Sequence, residues 1–243
     1  MTVYIGNAVG DEHGGASGGE AGNQTGKELR IQPWYKSAKG WLVFRPKSEE
    51  VAQKLVYDMT AACNNPNIGY DQKQRNTLYN VAKSVGFDCA KVSEPCECDC
   101  SSLVRVCLAY AGINTKNFST ATEANVLLNT GKFEEITEHT DSPDWLTAGS
   151  VLLTCTKGHT AIVLNDGPKA HEPEPAPTAH YVEVIGKSVN VRNSDSKKGR
   201  IIYTAHKGDM LPFEAVAPSG WYEVMTSRGS GYITNKPRYT RLV

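Results

Sequence analysis

The sequence predicts an α+β domain over residues 1–167 followed by a small all-β module over residues 180–243. Three observations carry this. Apolar residues recur at helical spacing between about 47 and 129, and short β-branched runs then follow at 150–155 and 159–164. A proline-rich stretch at 168–179 reads as a semi-rigid linker, with Pro173, Pro175 and Pro177 alternating. Beyond it, six short segments of strand character are separated by turn signals.

The elements follow in order. Residues 1–28 are glycine-rich and polar, and GGASGGEAGNQTGKE has the look of a phosphate loop. It fails that motif, because Ala21 stands where the first glycine is needed and Glu28 follows Lys27, so nucleotide binding is rejected. Residues 28–44 mix aromatic and β-favouring side chains and predict one or two strands. A helix is predicted over 47–63, starting at Ser48 with Glu49 and Glu50 in its first turn and stopped by Asn64-Asn65-Pro66. Asp71 is the expected cap of a second helix that Gly86 ends. A third runs from Cys100 to Gly112, and a fourth covers about 121–129. SVLLTC and HTAIVL read as buried strands, with Asn165-Asp166-Gly167 as a hairpin turn after the second. In the C-terminal module YVEVIG, SVNVRN, RIIYTA, LPFEAVA, WYEVM and GYITN predict a small antiparallel barrel. Val189, Val191, Ile201, Leu211, Trp221, Tyr222 and Ile233 are its expected core.

Net charge is zero, but residues 180–243 hold ten Lys/Arg against five Asp/Glu. A basic module on an acidic body suggests contact with an anionic surface. No apolar run is long enough to span a membrane, and the N-terminus has no basic region followed by an apolar core. The expectation is therefore synthesis in the cytoplasm without a signal peptide, no membrane insertion and no nucleic-acid partner, in a monomer. The seven cysteines, at 63, 89, 96, 98, 100, 107 and 155, are odd in number and clustered, so reduced thiols are expected. Cys96, Cys98 and Cys100 lack the second Cys pair of a structural zinc site, so neither metal nor cofactor is expected.

Cys100 is the candidate nucleophile. It opens a predicted helix, where backbone N–H groups and the helix dipole favour thiolate and lower the thiol pKa. The same N–H groups suit an oxyanion. His159, opening the strand HTAIVL, is the candidate base. A third residue is needed to orient the imidazole. Asn165 lies too far along an extended strand, which leaves His171 on a returning strand, or Glu28 from the N-terminal strand.

DCSSLV at 99–104, SVLLT at 150–154 and HTAIVL at 159–164 resemble, in order and spacing, the NlpC/P60 family of papain-like cell-wall peptidases. Ser102 stands where that family has glycine and Ser150 where it has aspartate. The glycine-rich start ending in TGKE also resembles the N-terminal part of phage lysins, and the CHAP family is a neighbour with the same Cys and His roles. Residues 181–243, with SVNVR, an apolar strand before KG, and GWYEV before GYI, resemble a bacterial SH3 (SH3b) domain.

The resemblance implies a papain-like catalytic domain, an SH3-like wall-binding module and peptidoglycan as substrate. It implies Cys–His hydrolysis of a stem-peptide amide bond by an endolysin that waits in the cytoplasm for a holin. Alternative readings are a CHAP-type amidase cutting between sugar and first alanine, a non-catalytic wall-binding protein, and a cytoplasmic acyltransferase or deamidase.

Overall fold

The computed structural model describes residues 2–171 and 180–243. The chain divides into two compact units, Met1–Glu172 and Pro173–Val243. Of the expected linker, residues 172–179 lie outside the described residues.

The first unit is built on a six-stranded sheet in the order β2-β1-β8-β7-β3-β6, every pair antiparallel. Its strands are β1 (Tyr4–Ala8), β2 (Leu29–Pro33), β3 (Trp41–Pro46), β6 (Phe133–Ile136), β7 (Val151–Thr154) and β8 (Thr160–Val163). The helices are α1 (Glu49–Asn64), α2 (Thr77–Lys83), α3 (Cys100–Tyr110) and α4 (Thr120–Asn129). A short parallel pair, β4 (Ile68–Tyr70) and β5 (Cys96–Cys98), leads into α3.

Period-two alternation gives each strand two working faces. Ala8, Phe44, Val151, Leu153 and Ile162 pack with Leu55 and Met59 of α1 and Leu103, Val104 and Cys107 of α3. Ile5, Trp41, Val43, Leu152, Ala161 and Val163 form a second cluster on the other face. Each fully buried large side chain in these layers contributes about 1.5–3 kcal/mol relative to exposure.

This unit contains a strand that the sequence reading did not include, and two expectations for it are corrected. The N-terminal segment contains a strand, β1, that pairs with both β2 and β8. Its YIGNA sequence hides this because Gly6 has little strand preference. Glycine is needed there, since a Cβ would lie 2.4 Å from Met59 Cγ of α1. Asp71 caps no helix; its carboxylate accepts from the N–H groups of Gly18, Lys73 and Gln74, and α2 begins after Asn76. Among the described residues, no strand returns through 168–171 after Asn165-Asp166-Gly167. Asn165 takes the Tyr4 N–H, Asp166 takes the Ala148 N–H and the Gly167 N–H donates to Leu146, so this segment ties onto neighbouring loops.

The second unit is all-β, with seven antiparallel strands in the order β11-β10-β14-β13-β12-β9-β15. They are β9 (Tyr181–Val184), β10 (Ser188–Arg192), β11 (Ile201–His206), β12 (Met210–Val216), β13 (Tyr222–Thr226), β14 (Gly229–Ile233) and β15 (Thr240–Leu242). β12 pairs with β9 through Met210–Pro212 and with β13 through Phe213–Val216, so one strand serves both halves. Val182, Val184, Val189, Val191, Ala205, Leu211, Val224 and Ile233 form the core. Ile201 is 48 % exposed and Trp221 is half-buried, so these two depart from the expected core, while the half-buried Tyr222 packs against it.

Candidate active site

Cys100 is the first residue of α3 and is 8 % exposed. The helix start is held by a capping box: the Asp99 carboxylate accepts from the Ser102 N–H at 2.7 Å, and the Ser102 hydroxyl accepts from the Asp99 N–H at 2.8 Å. Ser102 at this position is therefore structural. Arg75 locks the turn from outside, gripping both Asp99 carboxylate oxygens and donating to Ser101 Oγ and the Phe118 carbonyl.

The expected acidic thiol is reversed. Burial pushes the Cys100 pKa up to about 12 and the Asp99 carboxylate adds to the rise, while the backbone N–H groups of Thr160 and Ser101 directed at the sulfur offset only part of it. The helix dipole does not overcome desolvation and an adjacent carboxylate. Cys96 and Cys98, upstream on β5, turn their thiols to the carbonyls of Asn67 and Gly69. Among the described residues no group of three His, Cys, Asp or Glu side chains is placed to hold a metal ion.

His159 immediately precedes β8, and the N–H of the next residue, Thr160, is the one directed at Cys100. The imidazole thus hangs at the head of β8, the strand against which α3, opened by Cys100, packs. Among the described residues no hydrogen bond joins thiol and imidazole. The His159 ring lies beside Trp41, with centroids 6.4 Å apart. Burial lowers its pKa, and the Arg30 charge lowers it further, so the ring is neutral at pH 7.

The imidazole is oriented by a residue that the sequence reading did not include. Asn7 of β1, 1 % exposed, places Oδ1 3.0 Å from His159 Nε2, while its Nδ2 donates to the Arg30 carbonyl at 3.1 Å. The Arg30 contact fixes which amide atom is oxygen, so Oδ1 accepts from Nε2–H and Nδ1 is left as the basic nitrogen.

Neither expected third residue does this. His171 is exposed and bonds Asp166 Oδ2 at 2.9 Å, and among the described residues no returning strand carries it. Glu28 is buried, but its carboxylate accepts from the Gln24 and Tyr70 N–H groups and ties the glycine-rich loop to β4. A further buried acid, Glu123 of α4, accepts from Thr160 Oγ1 at 2.7 Å, and burial pushes its pKa up to about 8. The signal available for Asn7 was a polar residue at an inward position of a strand; for Glu123 there was none, since a Glu in a helix ordinarily faces water.

No curated protein and no solved structure matches the chain. A family model, described as the endolysin-like domain, matches residues 5–170, from β1 through the turn after β8, and thus spans Asn7, Cys100 and His159. That match covers more than half of the chain, and the chain belongs to the endolysin-like domain family.

Proposed function

We propose that this endolysin-like protein hydrolyses peptidoglycan as a cysteine peptidase-type enzyme, with Cys100 as nucleophile, His159 as base and Asn7 as the residue that orients the base. Family membership makes it a phage-type cell-wall lytic protein whose substrate is peptidoglycan. The observation that carries the finer reading is the chain from the Arg30 carbonyl through Asn7 to His159 Nε2, at the head of the strand against which the helix opened by Cys100 packs. A buried amide positioned on an imidazole supplies the base-orienting half of the arrangement that nucleophilic catalysis uses, and the helix-start cysteine is the thiol it would serve.

The steps follow from the protonation states. With its pKa near 12, Cys100 rests as a thiol, so His159 must take its proton as attack begins. Substrate binding brings thiol and imidazole into that contact, as catalytic hydrogen bonds often form fully only in the complex. The thiolate attacks an amide carbonyl of the stem peptide. The N–H groups at the start of α3, that of Cys100 included, hold the oxyanion. Imidazolium returns its proton to the leaving amine, and a water activated by His159 hydrolyses the thioester. The fold is read as papain-like in the NlpC/P60 manner, and the C-terminal unit as an SH3-like wall-binding module.

Turbidity loss and product mass spectrometry on purified peptidoglycan test this, comparing wild type with Cys100→Ala. Release of peptides by the wild type alone supports the reading, and fragment masses separate an endopeptidase from an amidase. Equal activity of the variant, or none from wild type on walls of several sources, overturns it.

A further inference from the structure

The second unit carries a groove of about 320 Å³ on one side of β10. Arg192, Lys197, Lys236 and Arg238 line it together with Trp221 and Tyr239, and no carboxylate is among its lining residues. The groove is built rather than incidental. Arg192 donates to the Gly199 carbonyl at 2.6 Å and so holds the 193–200 loop. The Arg238 guanidinium lies over the Tyr239 ring, 4.6 Å from its centroid, and Tyr239 itself packs on the unit's core. Among the described residues of this unit, the one ion pair joins Arg241 to Glu183, away from the groove.

Four cations sharing so small a concavity repel one another, and a ligand that supplies negative charge relieves this. A single carboxylate neutralises one of them; a chain with repeated phosphates neutralises several. Ser188, Asn190 and Thr234 add polar groups suited to hydroxyls, and Trp221 offers a half-buried ring face. We propose that this groove binds a polyol-phosphate chain of the bacterial wall, holding the protein on its substrate through an anionic polymer and not through the peptide it cuts. This rests on the reading of the wall as the target but not on the identity of the catalytic residues.

The test uses full-length Cys100→Ala, which leaves walls intact. Its binding is measured on walls that retain their phosphodiester polymers and on the same walls stripped of them by hydrofluoric acid. Expected are at least tenfold weaker binding to stripped walls, saturable binding to a soluble glycerol-phosphate polymer in calorimetry, and loss of that binding at 10-fold higher salt. Lys236→Glu with Arg238→Glu, made in the same background, should bind polymer-bearing walls no better than stripped ones, with an unchanged circular dichroism melt. The milder pair Lys236→Gln and Arg238→Gln should fall between. Equal binding to both wall preparations overturns the proposal, as does a charge reversal without effect. So does a groove variant that loses binding to stripped walls as well, because the groove then reads peptidoglycan itself. Hydrolysis of stripped walls by the wild type is read separately: activity there upholds the enzymatic reading whatever the groove binds, and inactivity on both preparations counts against that reading alone.

Discussion

The two units treat charge in opposite ways. Among the described residues of the first, eight carboxylates are buried: Asp11, Glu28, Asp58, Asp71, Asp88, Glu97, Asp99 and Glu123. In the second, Thr240 is the one buried polar side chain among the described residues, and the cations stand in solvent. Burying an ionisable group is costly unless it is paired or changes protonation, so a unit that does so repeatedly has a use for the groups it buries. Some serve structure, as Asp99 does in the capping box. Others lie near the thiol and add to the rise that burial gives its pKa, as Asp99 and Glu123 do for Cys100. The second unit keeps an almost wholly apolar core and places its chemistry on the surface, where charge acts on large ligands. In the proposed reading, the difference separates a site that excludes water from one that meets a polymer.

The sharpest way to break this comparison is Cys100→Ala. Hydrolysis of peptidoglycan should fall by about 10³-fold or more, the scale of losing a nucleophile, while binding of the full-length protein to walls is unchanged. If activity survives, the buried thiol is not the chemistry of the first unit.

Asn7→Ala should lower kcat by about 10–100-fold, the range for losing an outer partner that orients a functional imidazole, and leave wall binding alone. His171→Ala should change kcat less than twofold, because His171 bonds only Asp166 on the surface. A large effect at His171 with none at Asn7 would reverse the assignment. The pH profile adds a further check. Burial lowers the His159 pKa, and the base must be neutral to act, so kcat/KM should hold as pH falls through 6.5 and decline only below it. An acid limb above 6.5 contradicts the buried, Asn7-bonded imidazole.

Glu97 tests the cost of burial. It is 2 % exposed, neither of its oxygens has a hydrogen-bond partner, and its pKa is raised to about 8, by burial first and then by Glu28, Asp71, Glu12 and Asp11. A carboxyl whose folded pKa lies above the unfolded value binds its proton more tightly when folded. Its contribution to stability is full below the unfolded pKa of 4.5 and is lost as pH rises toward 8. Stability of the first unit should therefore fall by a few kcal/mol across that window, as read by urea denaturation at several pH values, and Glu97→Gln should flatten the dependence. An equally steep wild type and variant would place the effect elsewhere.

On stability a small effect is expected at Ser102→Gly, which installs the residue that the resembling cell-wall peptidases carry. Losing the hydroxyl that takes the Asp99 N–H should cost about 1 kcal/mol in denaturation, with kcat reduced only modestly. A stability gain would mean that the box strains the turn.

Much of the element order was legible from local pattern. The 3.6-residue periodicity and stops place α1, α3 and α4 close to their observed ends, and the β-branched runs fall on β7 and β8. Cys100 stood out because a helix start is a local feature. Local signals were weak where function dictates composition: β1 carries a glycine for the approach of Met59 and an asparagine for His159, and both disguise a strand.

From sequence alone came the two-part division, the basic second module, the helix start at Cys100 and the histidine at the head of a strand, because each depends on neighbours within a few residues. Only the tertiary structure decided that β1 pairs with β8, and with it that Asn7, 152 residues away in the chain, reaches His159. It also decided that the Cys100 thiol is raised and not lowered in pKa, since desolvation depends on how much protein closes over the sulfur. Pairing register and burial are sums over distant contacts, and no window of the sequence contains them.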